Sequence, residues 1–366
     1  MKHVKLRWLV LGIAVHVSAC ATGQPVSDKA AQLHSAGGDT LESTQSRTDA
    51  SVSRADTPSE KSVAQARQPA KQDVTHSDPP SANGDDTDNN DTEASSGELR
   101  QRVRVERQNA FNPYVLTAHK HNFILPVSYS SGLNEAIYVE NDVPLREGLQ
   151  PAEVKFQISL KSQVNEDDLL FKNDTLSLGI TLEAWWQLYS SDLSSPFRET
   201  NYQPEIFYLV PLDREILGGY FSFVAGLEHQ SNGQVQGLSR SWNRVYTALV
   251  YERGRLVTAI RPWYRIPEKE KENPGDAKGD DNPDIIDFMG HGDISGSWRY
   301  RENQIGVLVR GNPSTGKGAI RVGMTFPLFA RFRGFVEFFS GYGDSLIDYN
   351  HYQQRLGIGV ALSRMY

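Results

Sequence analysis

The chain has 366 residues, a formal net charge of -7 and a mean hydropathy of -0.50. This charge balance, with no basic stripe beyond a short arginine run at residues 100–107, gives no support for nucleic-acid binding. No segment after residue 20 comes near the roughly 20 continuous apolar residues that a membrane-spanning helix needs. If the chain spans a membrane, it must therefore do so as a barrel.

Residues 1–20 have the pattern of a bacterial secretory signal. Lys2, Lys5 and Arg7 form a charged start, and residues 8–17 form a short apolar segment. We therefore predict a signal peptide over 1–20 and export of the chain.

The chain has a single cysteine, Cys20, which ends the run Val17-Ser18-Ala19-Cys20. This run resembles a lipobox, in which the cysteine is acylated and becomes the mature N-terminus. In the alternative interpretation it is an ordinary small-residue cleavage site. Lipidation of Cys20 is the favoured prediction, and one cysteine allows no internal disulfide.

Residues 21–107 contain no aromatic residue, although the chain has 15 Phe, 15 Tyr and 6 Trp. A segment this poor in large apolar groups cannot bury enough surface to offset the entropy lost on ordering it. We predict a disordered linker over 21–107, with its arginine run as a solvated charge cluster. The predicted folded unit covers 111–366.

From residue 111 onward, short segments of alternating apolar and polar residues are separated by Gly, Asn, Asp and Pro clusters, which predicts antiparallel strands. Long polar connections alternate with mostly short ones, as in an outer-membrane barrel with long outer loops and tight periplasmic turns. Counting strands back from the C-terminus predicts an all-β transmembrane barrel of about 12 strands. The long connections lie near 131–150, 189–203, 230–241, 267–284, 312–317 and 342–352, and the short ones near 213–215, 252–255, 301–303 and 327–330.

A soluble sandwich or lipocalin-like barrel would share this alternation but would hide its apolar face inside. The export signal and the aromatic C-terminus, Tyr366, favour an outer-membrane barrel. Aromatic residues near strand ends also suit the interfacial girdles of such a barrel. These aromatic residues are Trp185, Trp186, Trp242, Trp263 and Tyr264.

His229, Ser231 and Asn243 lie at the ends of two successive predicted strands. A serine becomes a nucleophile when a base takes its proton, and a third group fixes the tautomer of that base. Ser231 follows His229 by two residues, so both project to the same face, and Asn243 on the next strand can come beside His229. Gly233 is either a donor to an oxyanion hole or a plain turn glycine. By spacing alone, the set also fits an ordinary polar loop.

Several longer motifs accompany this set: 185–188, 194–202, 229–233, 239–244, 261–264, 281–284 and 340–350. In these motifs and their order, the chain resembles the bacterial outer membrane phospholipase A family. The resemblance spans most of residues 111–366 and nothing before them.

The resemblance implies a calcium-dependent phospholipase, with A1 and A2 activity, that hydrolyses phospholipids and lysophospholipids as a homodimer. It assigns Ser231 as nucleophile, His229 as general base and Asn243 as the orienting group, facing the outer leaflet. Calcium suits a site of hydroxyl, carbonyl and carboxylate oxygens. The implied metal residues are Ser239, Gln234 through its carbonyl, Ser194 from the second subunit, and Asp281.

Two positions depart from the family pattern. Gln236 stands where family members can carry an acidic residue of a second calcium site, and Leu182 where a polar residue can help the dimer to pair. The alternatives are a non-enzymatic porin or structural lipoprotein, and a soluble serine hydrolase. Release of fatty acid and fractionation with outer membranes would separate these functions.

Overall fold

The computed structural model describes residues 98–112, 117–143, 148–273, 276, 279–329, 332–363 and 365. The predicted signal segment, Cys20 and Tyr366 lie outside these residues. None of the helices in the described part of the chain has the length and apolar character needed to span a bilayer.

Strands make up most of the described chain, and three helices of one to three turns accompany them. The helices are α1 (Glu98–Gln108), α2 (Ala136–Glu140) and α3 (Ile285–Met289). The strands are β1 (Thr117–Ala118), β2 (Phe123–Ser130), β3 (Ala152–Gln163), β4 (Thr175–Trp186), β5 (Phe197–Ile216), β6 (Gly219–Ser231), β7 (Ser241–Arg253), β8 (Leu256–Ile266), β9 (Gly292–Tyr300), β10 (Asn303–Asn312), β11 (Lys317–Phe329), β12 (Phe332–Tyr342) and β13 (Tyr352–Ala361).

Strands β2 to β13 form one antiparallel sheet in which each strand pairs with its neighbours in the chain. Pairing of β13 with β2, for example Leu356 with Tyr129, closes the sheet into a barrel. The two-residue β1 extends the edge of β3. Among the described residues the closed barrel has 12 strands, which confirms the predicted fold class.

Successive connections alternate between the two ends of the barrel. Those after β2, β4, β6, β8, β10 and β12 meet at one end, which we call the outer rim. The connections after β3, β5, β7, β9 and β11 meet at the opposite, periplasmic end.

One predicted turn is wrong. The charged residues near 213–215 predict a connection, but β5 continues to Ile216, and Leu217 and Gly218 form the turn. Both turn residues have positive φ, 58° and 74°. A two-residue hairpin that follows the strand twist requires such values, and glycine adopts them freely. The charged run is instead a strand end.

Apolar side chains cover the outside of the barrel. On β4, Leu178 and Ile180 are each 53% exposed, whereas Ser177 and Thr181, with the opposite parity, are buried. A soluble sandwich would show the reverse, with its apolar residues inside. The outward apolar surface is that of a barrel in contact with lipid.

Buried ion pairs fill much of the interior. Arg198 on β5 bonds to Glu153 on β3 at 2.6 Å and to Asp348 in the β12–β13 connection at 2.9 Å. Lys155 lies 2.8 Å from Glu337, and all of these side chains are almost fully buried. Removal of one partner would leave a buried unpaired charge, so the pairing of Arg198 with Asp348 ties the β12–β13 connection to the barrel wall.

The predicted aromatic girdle is wrong for three of its five members. Trp185, Trp242 and Trp263 point into the barrel and are at most 6% exposed. Each indole N–H donates a hydrogen bond to an interior acceptor. Of the other two, Tyr264 is 64% exposed and Trp186 is half-buried. The sequence misled because an aromatic near a strand end fits either face, and only strand parity decides between them.

The helix α1 lies across the periplasmic end of the barrel. The backbone N–H of Arg100 donates a hydrogen bond to the Glu252 carboxylate at 3.1 Å. A negative charge at this position interacts favourably with the dipole of the helix N-terminus. At the other end of the helix, Arg107 lies 2.5 Å from Asp168 in the β3–β4 connection. The helix thus spans the periplasmic opening of the barrel, from the end of β7 to the β3–β4 connection.

These contacts correct the predicted linker. Disorder is wrong for residues 98–107, which are helical, and three of their four arginines, Arg100, Arg102 and Arg107, are paired rather than part of a solvated cluster. Composition misled because the acidic partners lie far away in the sequence. Residues 21–97 lie outside the described part of the chain. A cavity of about 450 Å³ occupies the barrel interior, and Arg102 and Glu106 of α1 line its periplasmic end.

Candidate active site

The hairpin of β6 and β7 carries the candidate catalytic residues at the outer rim. His229 lies directly opposite Asn243, and Ser231 follows on the same strand as His229. All three share the parity of the outward residues Leu227 and Val245, which are 52% and 42% exposed. The three polar side chains therefore stand where the lipid-facing apolar surface ends.

His229 and Asn243 are hydrogen-bonded through Nδ1 and Oδ1 at 2.8 Å. An amide oxygen only accepts, so His229 Nδ1 carries the proton in this arrangement. The lone pair on Nε2 is then free to take a proton from a nucleophile. This is the tautomer that a general base needs.

Ser231 lies two residues beyond His229, on the same outward face of β6. Among the described residues, no hydrogen bond joins Ser231 Oγ to His229. In ligand-free enzymes catalytic hydrogen bonds are often long and tighten only with substrate. Strand β6 thus places the two residues on one face, without a hydrogen bond between their side chains in the ligand-free protein.

Gly233, two residues after Ser231, has a left-handed backbone conformation that glycine adopts most readily. Its φ is 64°, and an added Cβ would come within 3.4 Å of the Tyr202 ring. Its backbone N–H makes no hydrogen bond to another group of the described chain, so it is available to an oxyanion.

Asn232 organises the β6–β7 connection from a buried position. Its Oδ1 accepts from Arg240 N at 2.9 Å, and its Nδ2 donates to Leu238 O at 2.8 Å. A further bond of 3.4 Å joins Nδ2 to Glu199. This side chain fixes the loop that carries Gln234 and Ser239. The sequence pattern does not reveal this role of Asn232, because an Asn before a turn glycine also fits a plain turn.

Two of the four candidate calcium residues are in direct contact. Ser239 Oγ donates to Asp281 Oδ2 at 2.7 Å, and the ammonium of Lys271 contacts the other oxygen of Asp281. Gln234 lies on the same loop as Ser239. Ser194 lies on the separate β4–β5 connection, where it is exposed and has a φ of 55°.

The oxygen donors at this site fit calcium, which prefers hydroxyl, carbonyl and carboxylate ligands. No group of three or more His, Cys, Asp or Glu suited to a metal occurs in the described residues. The side chain of Gln236 lies outside the described part of the chain.

The segment 281–284 ties the β8–β9 connection to the rest of the site. Asn282 Oδ1 accepts from the Ser241 N–H at 3.0 Å, and Tyr349 donates to Asp284 at 2.6 Å. Burial, together with this bond, raises the pKa of Tyr349 above its ordinary value and keeps the phenol neutral. Through these hydrogen bonds, the segment 281–284 links β7 to the β12–β13 connection.

Glu268 is a second residue to which the sequence analysis gave no role. It lies in the β8–β9 connection and accepts a hydrogen bond of 3.0 Å from Asn243 Nδ2. The sequence holds no signal for this contact, because an acidic residue in a long polar loop is expected to be solvated.

Comparison with known proteins gives a consistent family. A family model described as phospholipase A1 matches residues 99–362. A putative phospholipase A1 of Neisseria meningitidis serogroup B is 40% identical over 257 residues, which are 67% of this chain and 65% of that protein. Phospholipase A1 of Salmonella typhimurium is 36% identical over 256 residues, which are 70% of this chain and 84% of that protein.

A solved structure shares the fold. The outer membrane phospholipase of Salmonella typhi, a dimer with bound calcium, superposes with a TM-score of 0.65 at 34% identity, over 72% of this chain and 98% of that one. The predicted outer-membrane location and the predicted hydrolase class are confirmed by these relatives and by the barrel itself. The chain therefore belongs to the phospholipase A1 family.

Proposed function

We propose that this chain hydrolyses acyl ester bonds of phospholipids and lysophospholipids in the outer membrane, with Ser231 as nucleophile, His229 as general base and Asn243 as the orienting group. The observation that carries the proposal is the 2.8 Å hydrogen bond between His229 Nδ1 and Asn243 Oδ1, two residues from Ser231 on the outer face of the rim. Membership of the phospholipase A1 family supports the reaction class.

The chemistry proceeds by acyl transfer to the serine. Ser231 Oγ attacks the ester carbonyl as His229 Nε2 takes its proton, and His229 then gives that proton to the departing lysolipid oxygen. Water, deprotonated by His229, hydrolyses the acyl-enzyme and releases a fatty acid. The Gly233 N–H donates to the negatively charged oxygen of each tetrahedral intermediate.

The position of the set suits a lipid substrate. Leu227 and Val245 continue the face of His229 and Asn243 down toward the bilayer centre. An acyl chain can lie against this apolar surface while its ester, near the headgroups, reaches the rim. A water-soluble ester would gain nothing from that surface.

Calcium is proposed as the cofactor, held by the Ser239 hydroxyl, the Gln234 carbonyl and Ser194 of a second subunit. When bound, the ion would supply positive charge that stabilises the oxyanion. The Salmonella typhi relative is a dimer with bound calcium, which supports both the ion and the dimer. Asp281 already contacts the Lys271 ammonium, so a second calcium at Asp281 would be weak.

The position of Ser194 supports a homodimer. Its connection begins directly after β4, whose outward residues, among them Leu182, face lipid or a second subunit. Pairing along this face would bring Ser194 of one subunit toward Ser231 of the other.

A porin is the second candidate, and the barrel interior speaks against it. Buried ion pairs occupy much of the interior, and α1 lies across the periplasmic end. The cavity of about 450 Å³ that remains is lined by charged side chains, among them Arg310, Arg321 and Glu337.

Purified protein should be mixed with phospholipid micelles, with calcium or with a chelator, and the released fatty acid measured. We expect release with calcium and loss of at least about a thousandfold in Ser231→Ala, with the barrel still folded. Equal release by the wild type and Ser231→Ala would refute the assigned nucleophile. No release by the wild type would leave the non-enzymatic porin or structural lipoprotein.

A further inference from the structure

We propose that Glu268 is a positioning residue of the catalytic set: its carboxylate fixes the amide of Asn243 and, through that amide, stabilises the protonated form of His229. The inference rests on the function proposed above and adds a fourth side chain to it. Neither the sequence motifs nor the family resemblance assigns a role to this position.

The three side chains form one chain of hydrogen bonds. Asn243 Nδ2 donates to Glu268 Oε1 at 3.0 Å, and Asn243 Oδ1 pairs with His229 Nδ1 at 2.8 Å. Both polar atoms of the amide are thus engaged, one on each side.

The carboxylate decides which way the amide faces. A carboxylate only accepts hydrogen bonds, so the NH₂ group of Asn243 must point to Glu268 and its oxygen to His229. In the flipped amide the NH₂ group would face Nδ1 and favour the tautomer with the proton on Nε2. That tautomer cannot take a proton from Ser231 at Nε2.

The carboxylate also supplies charge. An asparagine orients imidazole but carries no net charge to balance the imidazolium that forms during catalysis. A charge-assisted hydrogen bond polarises the amide and increases the negative charge on its oxygen. Through Asn243, Glu268 therefore supplies the negative charge that a carboxylate hydrogen-bonded directly to His229 would supply.

The backbone holds Glu268 in this place from both sides. Ile266, two residues earlier, is paired with Asn243 across β7 and β8. Just after Glu268, the Lys269 carbonyl accepts from Asp280 N at 2.7 Å. Arg265 also lies 2.5 Å from the Asp280 carboxylate, so the start of the β8–β9 connection is tied to its later part. Glu268 itself is half-buried.

The first test compares Glu268→Gln, which removes the charge at nearly constant shape, with Glu270→Gln, an exposed control on the same connection. In phospholipid micelles with calcium, Glu268→Gln should lower kcat about five- to twentyfold with KM little changed, as expected for loss of one charge-assisted hydrogen bond. Glu270→Gln should stay within about twofold of the wild type. Full activity in Glu268→Gln, or an equal loss in Glu270→Gln, would overturn the proposal.

A double-mutant cycle supplies a readout that a merely structural role would not move. If Glu268 acts through the amide, Glu268→Gln should cause no further loss in an Asn243→Ala background. The same fold loss in both backgrounds would place Glu268 outside the set while leaving the other three residues in it. Absence of hydrolysis in the wild type would instead count against the proposed function itself.

Discussion

An asparagine as third catalytic residue separates two roles that a carboxylate combines. Asn243 can fix the tautomer of His229 through the 2.8 Å bond, but it has no charge of its own to balance an imidazolium. In this chain the charge is one hydrogen bond further away, on Glu268. The contributions of orientation and charge should therefore be measurable at separate residues.

Replacement of Asn243 by Ala should cost less activity than loss of the base. We expect Asn243→Ala to lower kcat roughly 10- to 100-fold, because the imidazole loses orientation but can still accept a proton. His229→Ala should lower it at least about a thousandfold, since no group then takes the serine proton. Rates of fatty-acid release from micelles would check this order, and an Asn243→Ala enzyme with unchanged turnover would remove Asn243 from the set.

The residues of the site differ in how far the sequence could reveal them. Two-residue spacing and an antiparallel neighbour were enough to place His229, Ser231 and Asn243 together. Asn232 and Glu268 could not be found this way. Their roles depend on contacts across connections whose conformation has no regular period in the sequence.

The strands were predictable as elements because alternation reports a sheet with one apolar face. The hairpin of β6 and β7 follows this pattern through to His229 and Asn243. Trp185, Trp242 and Trp263 were misplaced because their nearness to strand ends was given more weight than their parity. Trp242, for example, shares the parity of the buried residues Arg244 and Tyr246. Alternation also does not locate a turn where charged residues continue the strand, as at 213–215.

Helix α1 is the element that composition hid. Its own residues are mostly polar and basic, and its order comes from acidic partners on the barrel, such as Glu252 and Asp168. A helix of this kind is marginal alone and depends on tertiary contacts. Disorder inferred from composition therefore extended too far toward the barrel.

Two truncations behind the same signal peptide should separate the linker from α1. A chain that resumes at residue 98 should match the full chain in activity and stability, since residues 21–97 contain no aromatic residue and none of the motifs that carry the family resemblance. A chain that resumes at residue 113 should keep most activity but lose roughly 1–2 kcal/mol of stability, because each exposed ion pair adds only about 0.2–1 kcal/mol.

Thermal unfolding in detergent and lipid hydrolysis would be measured on both truncated chains. A large loss of specific activity in the chain from residue 98 would contradict a dispensable linker. Unchanged unfolding of the chain from residue 113 would contradict a stabilising role for α1.

At the scale of the whole molecule, helix α1 and the candidate site lie at opposite ends of the barrel. The periplasmic end holds α1 and the tight turns, and the outer rim holds the candidate site, at the ends of β6 and β7 next to their connection. Because the proposed calcium shell takes Ser194 from a second subunit, one subunit alone would not complete that shell. Dimer formation and lipid hydrolysis should then both increase with the calcium concentration.

Calcium titration in detergent should therefore raise crosslinking yield and hydrolysis in parallel, and a chelator should silence the enzyme without unfolding it. Ser239→Ala should raise the calcium requirement at least about tenfold, because it removes one oxygen ligand. Asp281→Ala should have a smaller effect, since Lys271 already contacts that carboxylate. Full activity in a strictly monomeric, calcium-free sample would exclude this coupling.

The central claim, that Ser231 is the nucleophile of a rim-mounted lipid hydrolase, can be tested by covalent capture. A long-chain alkyl sulfonyl fluoride reacts with an activated serine, whose Oγ displaces fluoride to form a stable sulfonyl ester. Peptide mass spectrometry after reaction in detergent with calcium should place one adduct per chain on Ser231, in step with the loss of hydrolysis, and His229→Ala should abolish labelling. An adduct on another residue, or complete inactivation with Ser231 unmodified, would contradict the account.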